Sequence, residues 1–209
     1  MYLSNQDIES LPRIRRINII NSISGIKPAN LVGTQCDEGL ANLAIFSSVV
    51  HLGSDPALIG CVFRSQHSRT QDTYRNIKAS GVYTINQVPA ELMENAHFTS
   101  AKFEREVSEF DRCGFNKEYH FDFPAPFVKE SRLKLGLEMI EEIPIQSNGT
   151  ILMIGRIMHL IFPDDMMDAE GNLNLEVIDG IGIGGVNTYY SLRKVDQFPY
   201  AHKETVPKL

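Results

Sequence analysis

Residues 133–162 read LKLGLEMIEEIPIQSNGTILMIGRIMHLIF. Two apolar stretches rich in β-forming residues, 133–145 and 150–162, flank a Ser-Asn-Gly turn, and this is the signature of an antiparallel hairpin. The same grammar recurs upstream. ANLVGTQ (29–35) reads as a strand, CDEG (36–39) supplies turn chemistry, and LANLAIFSSVVHL (40–52) returns as one partner strand. Ser54, Asp55 and Pro56 break the pattern before ALIGCVF (57–63), and VYTINQV (82–88) resumes it. LNLEVI (173–178), after the polar loop 163–172, reads as a last strand. About six strands in hairpin order, with few helices between them, indicate an antiparallel barrel or sandwich with helical decorations.

The helical pieces are short. The segment from Asp7 to Ile23 reads as a helix or turn broken by Pro12. Asp72 to Ser80 reads as a helix with Gly81 at its stop, and 91–98 as another. Thr99 or Ser100 can cap a further helix in which Phe103, Val107 and Phe110 recur at i, i+4 and i+7, a core-facing stripe. Residues 115–129, with Pro124, Pro126 and four phenylalanines, read as an irregular connection.

Composition narrows the function classes. The 209 residues suffice for one domain, taken as 1–209, with a sizeable core. A formal net charge of -6 argues against coating nucleic acid. No apolar run approaches the roughly 20 residues of a membrane span, and the polar N-terminus has no signal-peptide centre. Cys36, Cys61 and Cys113 are widely spaced with no CxxC pair, which fits a reducing cytoplasm. The six histidines show no metal-ligand spacing.

Three stretches invite a ligand. DGIGIGGVNTYY holds Gly180, Gly182 and Gly185, a literal GxGxxG. The dinucleotide fingerprint also needs a crossover helix, a parallel strand and a later acidic residue, and too little chain follows. These glycines let the backbone run close to something bulky, or form an irregular turn. The stretch from Arg64 to Ile77, RSQHSRTQDTYRNI, gathers Arg64, His67, Arg69 and several hydroxyls where a strand hands over to a helix. A helix start near Thr70, Asp72 or Thr73, flanked by arginines, suits a phosphate. Taken alone, the commoner reading is a solvated loop with ordinary capping. Ser47 and Ser48 sit inside an otherwise apolar strand, where hydroxyls need partners: a heteroaromatic ligand at a rim, or water at a bulge or edge. His159 reads as a strand residue on a half-polar face.

The order of KPANLVGT (27–34), 39–63, RTQDTYRNI (69–77), 80–88, 108–110, 143–160 and GGVNTYY (184–190) resembles the flavin reductase-like family. The resemblance spans about 13–200 and implies a mainly β fold, the FMN-binding split β-barrel. It implies that Asn42 and the backbone of Phe46, Ser47 and Ser48 lie along the isoalloxazine and ribityl chain. Cys61, Val62 and Phe63 would form the strand beside the ring, and Arg64, Arg69 and Thr73 would hold the FMN phosphate. Gly185 and Tyr189 would approach the flavin from late in the chain, in cis or from the second subunit of a homodimer that holds FMN at its interface. Ile183 stands where members often carry arginine. The implied activity is hydride transfer from NADH or NADPH to flavin N5, with no side-chain acid, base or nucleophile required. A small-molecule acceptor or a partner monooxygenase would receive the electrons. A non-catalytic FMN-binding or electron-relay protein is the alternative, and a cofactor-free dimeric scaffold a third.

Overall fold

The computed structural model describes residues 1–64 and 72–203. Two helices open the chain, α1 (Asn5–Ser10) and α2 (Arg13–Ser22), divided at Pro12 as the ring and missing N–H of proline require. Next come β1 (Lys27–Pro28), β2 (Asn30–Gln35), β3 (Ala41–Phe46), β4 (Val49–Ser54) and β5 (Ala57–Phe63). Helix α3 (Asp72–Ser80) leads to β6 (Val82–Gln87), then a short 3-10 turn runs into α4 (Met93–Phe98). After α5 (Glu109–Cys113), the small pair β7 (Lys117–Glu118) and β8 (Phe127–Val128) precedes the long hairpin of β9 (Lys134–Ile145) and β10 (Thr150–Ile161). The hairpin β11 (Ile181–Gly184) and β12 (Thr188–Ser191) follows.

Seven strands form one antiparallel sheet in the order β3-β2-β6-β9-β10-β5-β4. Its two end strands, β3 and β4, are consecutive in the chain and separated only by Ser47 and Ser48. Three Cα steps span at most about 11 Å. Laid flat, six strand spacings would hold β3 and β4 about 29 Å apart. The sheet is therefore rolled into a barrel, and because β3 and β4 do not pair with each other, the barrel is split between them. The single strand expected over 40–52 is thus two strands, and the paired serines are the crossing between opposite edges. After the crossing Ser48 joins β5: Val62 N–H donates to the Ser48 carbonyl at 3.0 Å, and the Ser48 hydroxyl donates to the Val62 carbonyl at 2.7 Å.

Alternation along the strands sorts two cores. Val32, Cys61, Phe63, Tyr83, Ile85, Leu137, Ile151 and Met153 fill the barrel, and Ile77 of α3 joins them. Gly81 stops α3 as expected, at φ +74° with its N–H on the Ile77 carbonyl at 2.8 Å. Leu31 and Leu43 face outward instead, and there they pack with Ala96 of α4, Phe110 of α5 and Ile181 and Ile183 of β11. A three-stranded sheet, β1-β11-β12, lies over that second core.

Two further expectations are corrected. The helix placed over 99–110 is confined to Glu109–Cys113. Phe103 and Phe110 still pack inward, but from a loop and a single short helix, so helical spacing arose without a helix. LNLEVI is a series of turns, with Leu173 in one isolated bridge to Met167. The closing strand is the glycine-rich stretch itself. A Cβ at Gly182 would lie 2.2 Å from Ile26 Cγ2, so the missing side chain is what lets β11 press against the turn into β1. β11 pairs antiparallel with both neighbours, which disposes of a dinucleotide fold there.

Candidate functional site

A cleft of about 820 Å³ runs along β3 beside the split in the barrel. Its floor is the end of β3 and the serine crossing, with Val62 and Phe63 of β5. Its far wall is built from the end of α2, the segment after α4, and the β11–β12 turn.

One end is formed by Arg64 and helix α3. The first turn of α3, Asp72 to Tyr74, lines the cleft together with Arg64. The dipole of a helix adds partial positive charge at its first turn. The Asp72 carboxylate pairs with Arg75 at 3.4 Å. Arg69, His67 and Thr70 lie outside the described residues.

The middle is a strand edge. Among the described residues β3 pairs with β2 on one side only, and the Leu43 N–H points to the other side, where it donates to Glu109 Oε2 at 3.0 Å. Strand geometry repeats every two residues, so the N–H and C=O of Ile45 face the same open edge. Ile45 lines the cleft. An edge of this kind offers a donor and an acceptor side by side, as the rim of a heteroaromatic ring requires.

Ten of the twelve residues named from the sequence line this one cleft: Asn42, Phe46, Ser47, Ser48, Val62, Phe63, Arg64, Thr73, Gly185 and Tyr189. Arg69 falls outside the described residues, and Cys61 is the exception. Its side chain is fully buried in the barrel, and burial pushes the thiol up to about 12. Cys61 therefore contributes its strand, not its sulfur. The Ser48 hydroxyl is occupied as a donor to Val62, so it holds the crossing closed. Phe46 and Phe63 pack ring against ring at 5.0 Å below the floor. His159 lies elsewhere, stacked on Phe121 at 5.0 Å.

Several cleft residues escaped the sequence reading. His97 of α4 and Tyr189 of β12 meet across the far wall, Nδ1 to hydroxyl at 3.0 Å with their rings edge to face. Burial raises the Tyr189 phenol above its usual value. Lys27 stands directly across the β1–β11 pair from Ile183, and both line the cleft. A cation thus reaches this wall from β1 although position 183 is apolar. Its ammonium donates to the Asn21 carbonyl at 2.9 Å, which ties it to α2. Glu109 also lines the cleft and binds the Asn42 amide at 2.6 Å. Beyond the i, i+4 stripe that enclosed it, no local signal marks Glu109: its partners lie 66 and 67 residues away in sequence.

The arrangement has relatives. Residues 26–176 match the model of the flavin reductase like domain. A split barrel domain protein of Shewanella frigidimarina NCIMB 400, assigned as a flavin reductase, is 42% identical, with a TM-score of 0.92 over 96% of this chain and 100% of that one. Nitrilotriacetate monooxygenase component B from Bacillus cereus shares the fold at 17% identity and a TM-score of 0.83, over 95% of this chain and 98% of its own. An FMN-binding protein from Thermus thermophilus shares it at 16% identity and a TM-score of 0.70, over 85% and 93%. A matching family model over most of the chain, on a barrel split at the serine crossing, makes this protein a member of the flavin reductase-like family.

Proposed function

We propose that the chain binds FMN in the cleft and acts as an NAD(P)H-dependent flavin reductase. The observation that carries this reading is the meeting, in one groove, of a strand edge at Ile45, unpaired among the described residues, with Arg64 and the first turn of α3. A flat heteroaromatic ring with a phosphate tail has those two requirements together. The cleft volume lies within the roughly 300–1,000 Å³ of cofactor sites. The residues present fit the group: edge N–H and C=O for the ring rim, hydroxyl and amide groups at Asn42 and Thr73 for the polyol chain, and cationic donors for the phosphate. FMN, when bound, supplies the hydride chemistry. The chain's own groups would position and tune it: the Ile45 N–H would offer a fixed donor to the rim of a bound ring. The wall of His97, Tyr189 and Lys27 limits what stacks on the exposed ring face.

The outer face of β4, β5 and β10 supports a homodimer. Val50 and Leu52 are 44% and 41% exposed and gather with Leu152 around Gly60. Gly60 and Val62 share that face of β5, so the patch runs into the cleft wall. A second copy covering the patch would bury it and close the cleft on that side. The Bacillus cereus relative is a monooxygenase component, which favours a monooxygenase as recipient of the electrons, with a small organic acceptor as the simpler route.

The test is titration of the purified protein with FMN, FAD and riboflavin, followed by anaerobic mixing with NADH and with NADPH. FMN is expected to bind most tightly, and its absorbance to bleach with at least one donor. Tight binding without bleaching by either would reduce the protein to an FMN carrier, and no binding would end the flavin reading.

A further inference from the structure

Beneath the Arg64 and α3 end of the cleft, five side chains pass hydrogen bonds in a direction that Glu109 fixes. Glu109 Oε2 accepts from Asn42 Nδ2 at 2.6 Å and from the Leu43 N–H at 3.0 Å. A carboxylate can only accept, so the amide nitrogen of Asn42 must face Glu109 and its Oδ1 must face away. On that side the Thr73 hydroxyl lies 2.9 Å from Oδ1, and the Thr34 hydroxyl 3.4 Å. An amide oxygen has no proton to give, so the Thr73 hydroxyl donates to it, and the Thr34 hydroxyl approaches it from farther off. Thr34 Oγ1 accepts in turn from Asn76 Nδ2 at 3.1 Å. Thr73, Asn76 and Thr34 are each less than a tenth exposed, so water does not compete for these bonds.

This has a consequence at the cleft surface. A hydroxyl owns one proton, and that of Thr73 is committed inward. Turning it toward a ligand would leave Oδ1 with only the 3.4 Å approach of Thr34, outside good hydrogen-bond geometry. We infer that Glu109 is a positioning residue that sets the hydrogen-bond polarity of this wall, so that Thr73 presents acceptor lone pairs to the cleft and reads a ligand hydroxyl, not a phosphate oxygen. The inference rests on the flavin reading of the cleft and deepens it. Thr73 then selects the polyol chain. The phosphate is then left to groups other than the Thr73 hydroxyl. The phosphate role that the family resemblance gave to the Thr73 side chain is thereby replaced.

Three ligands separate the contributions: lumiflavin (ring alone), riboflavin (ring and polyol) and FMN (ring, polyol and phosphate). Their affinities are measured by fluorescence titration for wild type, Thr73→Val, Thr73→Ser, Glu109→Ala and Glu109→Gln, with thermal unfolding of each ligand-free variant. Thr73→Val should weaken riboflavin and FMN by the same factor, about tenfold, and leave lumiflavin unchanged. Thr73→Ser keeps the hydroxyl and should keep the affinities. Glu109→Ala should copy the Thr73→Val pattern, while Glu109→Gln, whose amide oxygen can take the place of Oε2, should restore it. If Glu109→Ala does not fold, the Thr73→Val ratios decide. A loss confined to FMN would overturn the inference, because it marks a phosphate donor; so would equal loss for all three ligands, or no loss at all. Wild-type protein that binds none of them would instead refute the flavin reading on which the inference stands.

Discussion

The barrel interior holds one polar group without a protein partner among the described residues, and it yields a sharp test of the fold. The Tyr83 hydroxyl is fully buried, and burial pushes its phenol well above the usual range. A Cβ built on Gly155 of β10 would lie 2.2 Å from that oxygen, and 3.0 Å from both Tyr83 Cζ and Leu137 Cδ2. Gly155→Ala alone should therefore destabilise by about 1–3 kcal/mol through overpacking. Only part of this is recovered from the roughly 0.5–1 kcal/mol that alanine gains over glycine in a strand. Tyr83→Phe removes a desolvated hydroxyl with nothing to pair with, so it should be neutral or stabilising by up to about 1 kcal/mol. In the double variant the 2.2 Å collision no longer exists, and only the tight 3.0 Å approaches remain, which a shift of a few tenths of an ångström relieves. The two changes should therefore couple favourably by about 1 kcal/mol or more. Urea unfolding of all four proteins, with m values compared, measures the cycle. Additive effects, or a Tyr83→Phe loss above about 1 kcal/mol, would refute this account of the interior.

Two other outcomes follow from the polar contacts. Burial acts to raise the Glu118 pKa, but hydrogen bonds and charge from Lys134 and His120 outweigh it and hold the carboxyl below its ordinary 4.5. A depressed folded-state pKa contributes stability above the unfolded value and loses it as pH falls through the folded one. The stability advantage of wild type over Glu118→Gln should therefore be full at neutral pH and shrink below about pH 4.5, as read by urea midpoints; a constant difference would contradict it. Tyr189→Phe removes the 3.0 Å bond to His97 while keeping the ring, and should cost about 1 kcal/mol with an unchanged m value. No change in the urea midpoint would mean that the bond does not brace the cleft wall.

What was legible in the sequence was whatever a local pattern dictates. Gly81 stops α3 because only a left-handed residue ends that helix, and Ser-Asn-Gly folds the β9–β10 hairpin without help from elsewhere. The long apolar run 40–52 misled because strand chemistry continues through a crossing from one sheet edge to the other, and two serines look the same in a strand as between strands. The glycines of β11 allowed either a close approach of the backbone or an irregular turn, and what decides for the approach, Ile26, belongs to another segment. Phe103, Val107 and Phe110 imitated a helix because packing against one core selects apolar residues whatever the backbone does. In the cleft, the resemblance brought together residues of β3, β5 and α3, whereas His97, Lys27 and Glu109 arrive through long-range pairing. Asn42 was named for a ligand contact, but its partners Glu109 and Thr73 are visible only once α3 and α5 are placed.

The serine crossing has one more effect. Because the seam between β3 and β4 carries no ladder of its own, it is where the cylinder fits together most loosely, and the groove lies along it. Fraying of the seam and widening of the groove are then one motion. Any occupant that bridges the end of β3 to Val62 acts as a clasp, so amide exchange along β3 and β4 should slow on occupancy more than along β9, which has a strand on both sides.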